Sequence, residues 1–147
     1  MLSSLNTTTC LLICGDNLDA KLITERLKIS PTTVTRKGET ILPSITDGAP
    51  RAYDTRLGLD CWKLGLTSKQ HRFDIVKQLE FWIEKLYPVR SAFQEFKNLG
   101  YWSVIDCQIS STERQLLSIQ FRLTKEMQLK LSMLYLDIDF TIYRPTV

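Results

Sequence analysis

The sequence predicts an α+β fold, a two-layer sandwich with a largely antiparallel sheet of about six strands and helices on one face. The expected order is β-α-β-β-α-β-β-α-β, with the second helix kinked. Three observations point there. Short apolar, β-branched runs end in Gly, Asn, Asp or Ser, as half-buried strands do. Between them, other segments repeat apolar residues every three or four positions, the period of an amphipathic helix. The elements read as two strand-helix-strand units that share strands, which fits a two-layer arrangement.

The first strand is Thr8 to Cys14, stopped by Gly15-Asp16-Asn17. Leu18, Leu22, Ile23 and Leu27 then follow helical spacing, so a helix is expected over 18–28, with Asp16 or Asn17 as its cap and Asp19 near its positive end. Ser30-Pro31 closes it, because proline disfavours helical geometry in the residue before it. Thr33 to Lys37 has strand propensity, with Gly38 as a turn. Residues 41–59 carry Pro43, Gly48, Pro50 and Gly58 with no sustained period and form the longest irregular stretch. Leu59 to Leu66 reads as a strand buried on both faces and anchored by Trp62, whose expected role is structural.

From Ser68 the pattern turns helical through Phe73, Val76, Leu79, Ile83 and Leu86, and Ile75, Trp82 and Tyr87 widen the stripe. Pro88 must break or kink this helix, and Phe93, Phe96 and Leu99 continue it until Gly100. Tyr101 to Ile109 and Leu116 to Leu123 read as strands joined by Ser110-Ser111-Thr112, and their closeness in sequence favours a hairpin. Thr124 caps a helix bearing Met127, Leu131 and Leu134. Leu136, Ile138, Phe140 and Ile142 alternate with Asp137, Asp139 and Thr141 in a last, one-sided strand.

A chain of 147 residues fits one domain over 1–147, and at 44% hydrophobic and 24% charged it has a globular composition. Such a chain buries roughly 70% of its unfolded surface, enough for a core without disulfides or metal. The net charge is +3, from 19 Lys and Arg against 16 Asp and Glu, and the densest basic stretch is Arg36-Lys37. That balance is too mixed for a nucleic-acid footprint. Cys10 and Cys14 share one strand at a separation of roughly 13 Å, too far for a disulfide or a shared tetrahedral metal. Cys61 and Cys107 stand alone in other apolar runs, so buried reduced thiols are expected. With no signal-type start and no membrane-length apolar run, the expected location is the cytoplasm.

Gly15-Asp16-Asn17-Leu18-Asp19, with Ile23-Thr24 and Leu27 to Thr32 behind it, resembles a bacterial domain-of-unknown-function family, number four-two-seven-nine. Further motifs keep that family's order: Arg36-Lys37-Gly38-Glu39, Trp62 with Leu64, and Asp137 to Tyr143. The resemblance covers nearly the whole chain. It departs at Thr35, where the family usually has an aromatic, and at 41–59, which is longer than the family's segment. The family has no assigned activity and so implies no catalytic residue.

The residues themselves offer little chemistry. His71 is the single imidazole, near Cys61 and Ser68 in sequence, but an apolar strand disfavours a thiolate. Gly15 stands outside any phosphate-binding glycine pattern. Asp16, Asp19, Asp137 and Asp139 form the one carboxylate set of interest, read here as helix-capping and strand-surface residues rather than cation ligands. No cofactor is expected. By elimination the chain reads as a non-catalytic protein-binding domain, in the manner of an immunity-type inhibitor that neutralises a partner toxin or enzyme. Arg51, Tyr53 and Arg56 of the long loop, with Arg36 and Lys37, are the expected contact residues, since Tyr and Arg are enriched in hot spots. The alternative is a single-stranded nucleic-acid module using Tyr101, Trp102 and Tyr143 with Arg36 and Lys37.

Overall fold

The central strand sets the architecture. In a computed structural model, which describes residues 5–38, 58–66, 74–111 and 119–143, β1 (Leu5–Gly15) has a strand on each side. It pairs antiparallel with β3 (Asp60–Gly65) and with β4 (Trp102–Ser111). β2 (Thr33–Thr35) adds antiparallel outside β3, and β5 (Asp137–Tyr143) adds parallel outside β4. The described residues thus form a five-stranded sheet in the order β2-β3-β1-β4-β5. The predicted α+β sandwich with a largely antiparallel sheet is what forms.

Four helices, α1 (Ala20–Leu27), α2 (Ile75–Leu86), α3 (Ser91–Asn98) and α4 (Lys125–Ser132), share one core with one face of the sheet. Leu11 and Ile13 of β1, Trp62 of β3 and Ile105 of β4 meet Ile23, Leu79, Trp82, Phe93, Phe96 and Leu131 there. Alternation along β1 sends Leu12 and Cys14 to the opposite face, where they join Cys61 and Val104 in a smaller buried cluster. β1 therefore reads as a continuous apolar run because both of its faces are buried.

One expected strand is absent from this sheet. Residues 119–124 are irregular, and both edges of β4 are already taken, by β1 and by β5, so no edge remains for a hairpin partner. The connection from β4 to β5 is instead a crossover containing α4, as a parallel pair requires. The cap of α1 also differs from expectation. Asn17 adopts a left-handed turn (φ 50°), which delays the helix, and Asp19 caps it by accepting from the Leu22 amide at 3.0 Å. Thr124 caps α4 as expected, accepting from the Met127 amide. Pro88 kinks the long helix through a short 3₁₀ turn at Tyr87–Val89 between α2 and α3.

Two buried polar features tie helices to the sheet. Gln78, on the inner face of α2, accepts from the Thr9 hydroxyl at 2.9 Å and donates to the Thr7 carbonyl at 2.9 Å. The Trp82 indole donates to the same Thr9 oxygen at 2.8 Å. These bonds pair the Thr9 hydroxyl, the Trp82 indole and the Gln78 amide inside the core, as buried polar groups require. On the other side Trp62 is fully buried and its indole donates to the Thr24 hydroxyl of α1 at 3.1 Å.

Trp62→Ala is expected to leave a cavity and lower stability by about 3 to 5 kcal/mol. Trp62→Phe, which keeps most of the packing, should cost markedly less. Chemical denaturation measures both, and a Trp62→Ala midpoint equal to that of the native chain would remove the indole from the core.

Candidate functional site

The motifs that stand out in the sequence meet at one carboxylate. Asp60 opens β3 opposite Gly15, at the end of the sheet where β1 turns into α1. It is buried and accepts from the Lys37 amide at 2.7 Å, the Leu18 amide at 3.1 Å and the Arg36 guanidinium at 3.4 Å. Arg36 also donates to the Leu18 carbonyl at 2.8 Å. The Lys37 amide bond, aided by the Leu18 amide and Arg36, holds the Asp60 carboxyl below its ordinary value against the opposing effect of burial. Gly15-Asp16-Asn17-Leu18, Arg36-Lys37-Gly38 and the Trp62 strand are thus sewn together by Asp60. In this knot Arg36 donates through its guanidinium and Lys37 through its main chain, and the Lys37 side chain stays exposed.

Gly15 belongs to the same end. The Tyr101 ring lies over it so closely that a Cβ there would come within 2.6 Å of the ring, and the Tyr101 hydroxyl accepts from the Asp19 amide at 3.0 Å. Tyr101 also leans on Phe96 of α3. One aromatic thereby fixes the start of α1 against α3 and β4.

The remaining candidates are dispersed. Arg51, Tyr53, Arg56 and His71 lie outside the described residues. Asp19 is the α1 cap, and Asp137 accepts from the Trp102 indole at 2.6 Å. Asp139 pairs in register with Asp106 on β4. Among the described residues no group of three His, Cys, Asp or Glu is placed to hold a metal. None of the four cysteines is in a disulfide. Burial pushes the Cys107 thiol well above its ordinary value, with the Asp106 charge adding to the effect, which is the opposite of what a nucleophile needs.

Surface grooves form where the helices and β5 meet. A groove of about 530 Å3 runs between α2 and α4, with Ile83, Tyr87 and Met127 on its floor and Glu80, Glu84 and Glu126 along its walls. Lys130 pairs with Glu126 at 3.1 Å, while among the described residues neither Glu80 nor Glu84 forms an ion pair. A second, of about 320 Å3, lies where β4 and β5 begin and is lined by Lys97, Tyr101, Trp102, Tyr135 and Asp137. Tyr135 is exposed and holds a left-handed backbone (φ 51°), an uncommon state for an aromatic residue. The sequence signal for the first groove was the Glu80-Glu84 spacing on the polar side of α2; nothing local marks Tyr135.

Fold and surfaces together define a two-layer α+β domain in which the segments around Gly15, Arg36 and Trp62 close on Asp60. The family model for a domain of unknown function, DUF4279, matches residues 6–145, and the chain belongs to that family. No curated protein and no solved structure matches it. No helix among the described residues is long and apolar enough to cross a membrane.

Two measurements check this end of the molecule. Gly15→Ala should destabilise by about 1 to 3 kcal/mol because the methyl group displaces the Tyr101 ring. In a Tyr101→Ala background the same substitution should cost close to nothing, and equal costs in the two backgrounds would break the assignment. Asp60 gives a pH signature. Its folded carboxyl titrates below the unfolded value of about 3.9, so its contribution is complete above that pH and is lost as pH falls through the folded value. The stability gap between the native chain and Asp60→Asn should be level near neutrality and close below about pH 4. Thermal melts across pH follow it.

Proposed function

We propose that this chain is a non-catalytic protein-binding domain acting in the cytoplasm, an immunity-type inhibitor that occupies a partner toxin or enzyme. The observation that supports this reading best is the acidic groove between α2 and α4. Glu80 and Glu84 stand one helical turn apart, a like-charge spacing that costs an isolated helix a few tenths of a kcal/mol. Lys130 answers Glu126, but Glu80 and Glu84 have no such relief among the described residues. Carboxylates above an apolar floor are suited to a basic segment with an apolar anchor, where charge guides encounter and the anchor supplies affinity. The partner is therefore expected to present Lys or Arg beside a large apolar residue.

Single-stranded nucleic acid is the rival ligand. Trp102 and Tyr143 lie on the same sheet face as Asp137 and Asp139, so a phosphate backbone tracking those aromatics would meet carboxylates. Tyr101 is turned inward onto Gly15 and Phe96, and Arg36 is engaged by Asp60 and Leu18. These placements favour the protein-binding reading.

Affinity purification of the tagged chain from its own cells should recover a stoichiometric protein carrying a basic surface. Titration of that purified partner should then show binding weakened at least tenfold, about 1.4 kcal/mol, by Glu80→Lys with Glu84→Lys at unchanged melting temperature. Unchanged affinity in the double variant would clear the groove of this role. Micromolar binding of a labelled single-stranded oligonucleotide that falls steeply with salt would favour the rival.

A further inference from the structure

We propose that two copies of this chain associate through β5, pairing antiparallel about a two-fold axis at Phe140 to make one continuous sheet. Among the described residues β5 ends the sheet, with β4 on its inner side. Edge strands are usually short or are blunted by Lys, Pro or a bulge. β5 runs for seven residues, Asp137–Tyr143, and contains no Lys, Pro or Gly; its two charges, Asp137 and Asp139, both lie on the face away from the helices. Its helix-side row is also left partly bare. Phe140 is 42% and Ile142 53% exposed, and Phe121, itself 40% exposed, stacks at a tilt on Phe140 with ring centroids 5.4 Å apart.

The occupant follows from the order of residues along the strand. With Phe140 on the axis, Asp139 faces Thr141 of the mate, Asp137 faces Tyr143, and Ile138 faces Ile142. Every carboxylate then stands directly opposite a hydroxyl residue, and no like charges are directly opposed. Centring the pair on Ile138 would set Asp137 against Asp139, and centring on Asp139 would set that residue against itself. Centring on Thr141 shortens the overlap. The register that pairs the whole strand is the one that keeps the charges apart and brings the two Phe140 rings together. Both copies keep their helices on the same side, so Phe121, Phe140 and Ile142 join their counterparts in one apolar seam. The acidic groove lies elsewhere, between α2 and α4, and this association is independent of its role.

Sedimentation equilibrium over a wide concentration range should show a species of twice the 17.0 kDa chain mass. A monomer persisting to hundreds of micromolar overturns the proposal. Phe140→Lys places two ammonium groups at the axis and should weaken association at least about tenfold; dimerisation at native strength by a folded Phe140→Lys also overturns it. Cross-linking checks the register without loss of fold. Phe140→Cys should join to its own copy under mild oxidation by a small disulfide, whereas Ile142→Cys, whose facing residue is Ile138, should not. The native chain with its four cysteines serves as the blank. Linking through position 142 in place of 140 rejects the axis.

Discussion

From Cys10 to Cys14, β1 is paired along both edges and largely buried on both faces, and the other elements are placed by that constraint. Its odd residues, Thr7, Thr9, Leu11 and Ile13, face the helices, while Cys10, Leu12 and Cys14 face away. The Thr9 hydroxyl and the Thr7 carbonyl would be unmet polar groups in a core were it not for α2. Gln78 and Trp82 meet them, and this exchange fixes the rotation of α2 about its axis as well as its position along β1. Removing one member would strand the others at the desolvation cost of a buried polar group, about 1 to 3 kcal/mol each. Apolar packing brings α2 to the sheet, and the polar set decides which way it faces.

The far end of β1 is governed by geometry of a different kind. Gly15 lacks a side chain where the Tyr101 ring passes, and that ring reaches the first turn of α1. Asp60 then gathers the backbone after β1 and the backbone after β2, so three chain segments far apart in sequence close on one carboxylate. The cost of holding that carboxylate out of water is offset by two main-chain amides and one guanidinium, the arrangement that makes a buried charge tolerable. The Arg36 guanidinium and the Lys37 main chain take part in this closure, while the Lys37 side chain stays exposed.

Local pattern reported the fold faithfully where local physics decides it. The doubly buried β1, the stripe through Leu79, Ile83 and Leu86, the Pro88 kink and the Thr124 cap each follow from a few neighbouring residues. The hairpin expected between Tyr101–Ile109 and Leu116–Leu123 failed because strand pairing depends on which edges are open, and β1 and β5 had closed both edges of β4. Trp82 widens the stripe of α2 as expected and is fully buried, while Val76, expected in the stripe, is only half-buried, since the sheet approaches α2 from the side of Ile75, Leu79 and Leu86. Gln78 was invisible for the same reason: a polar residue beside an apolar stripe declares itself only when a Thr pair is found beneath it. Of the expected contact residues, Arg36 and Lys37 were legible as a motif but not as parts of the Asp60 knot, because Asp60 lies more than twenty positions away. The grooves arise from α2, α4 and the start of β5 meeting, and no single segment encodes them.

The two ends of the sheet consequently have different characters. Around β1, β3 and α1, Asp19, Asp60, Trp62 and Thr24 are engaged in bonds that hold the fold, while Lys21, Glu25 and Lys28 of the same region stay exposed. The crossover from β4 through α4 to β5 is built the other way. Met127 and Leu131 are its inward anchors, while Leu129, Met133 and Tyr135 remain exposed above them, and β5 shows Phe140 and Ile142 at its edge. The outer face of α4 is otherwise polar, with Lys125, Glu126, Gln128 and Ser132 exposed around Leu129. The mixed chemistry of this crossover, with charged walls on one side of α4 and an apolar strand edge beyond it, is what a surface needs if it is to be selective and still release water on contact. The end around Asp60 is thus closed by bonds from side chain to backbone, and among the described residues the crossover to β5 is the part that leaves several large apolar residues exposed.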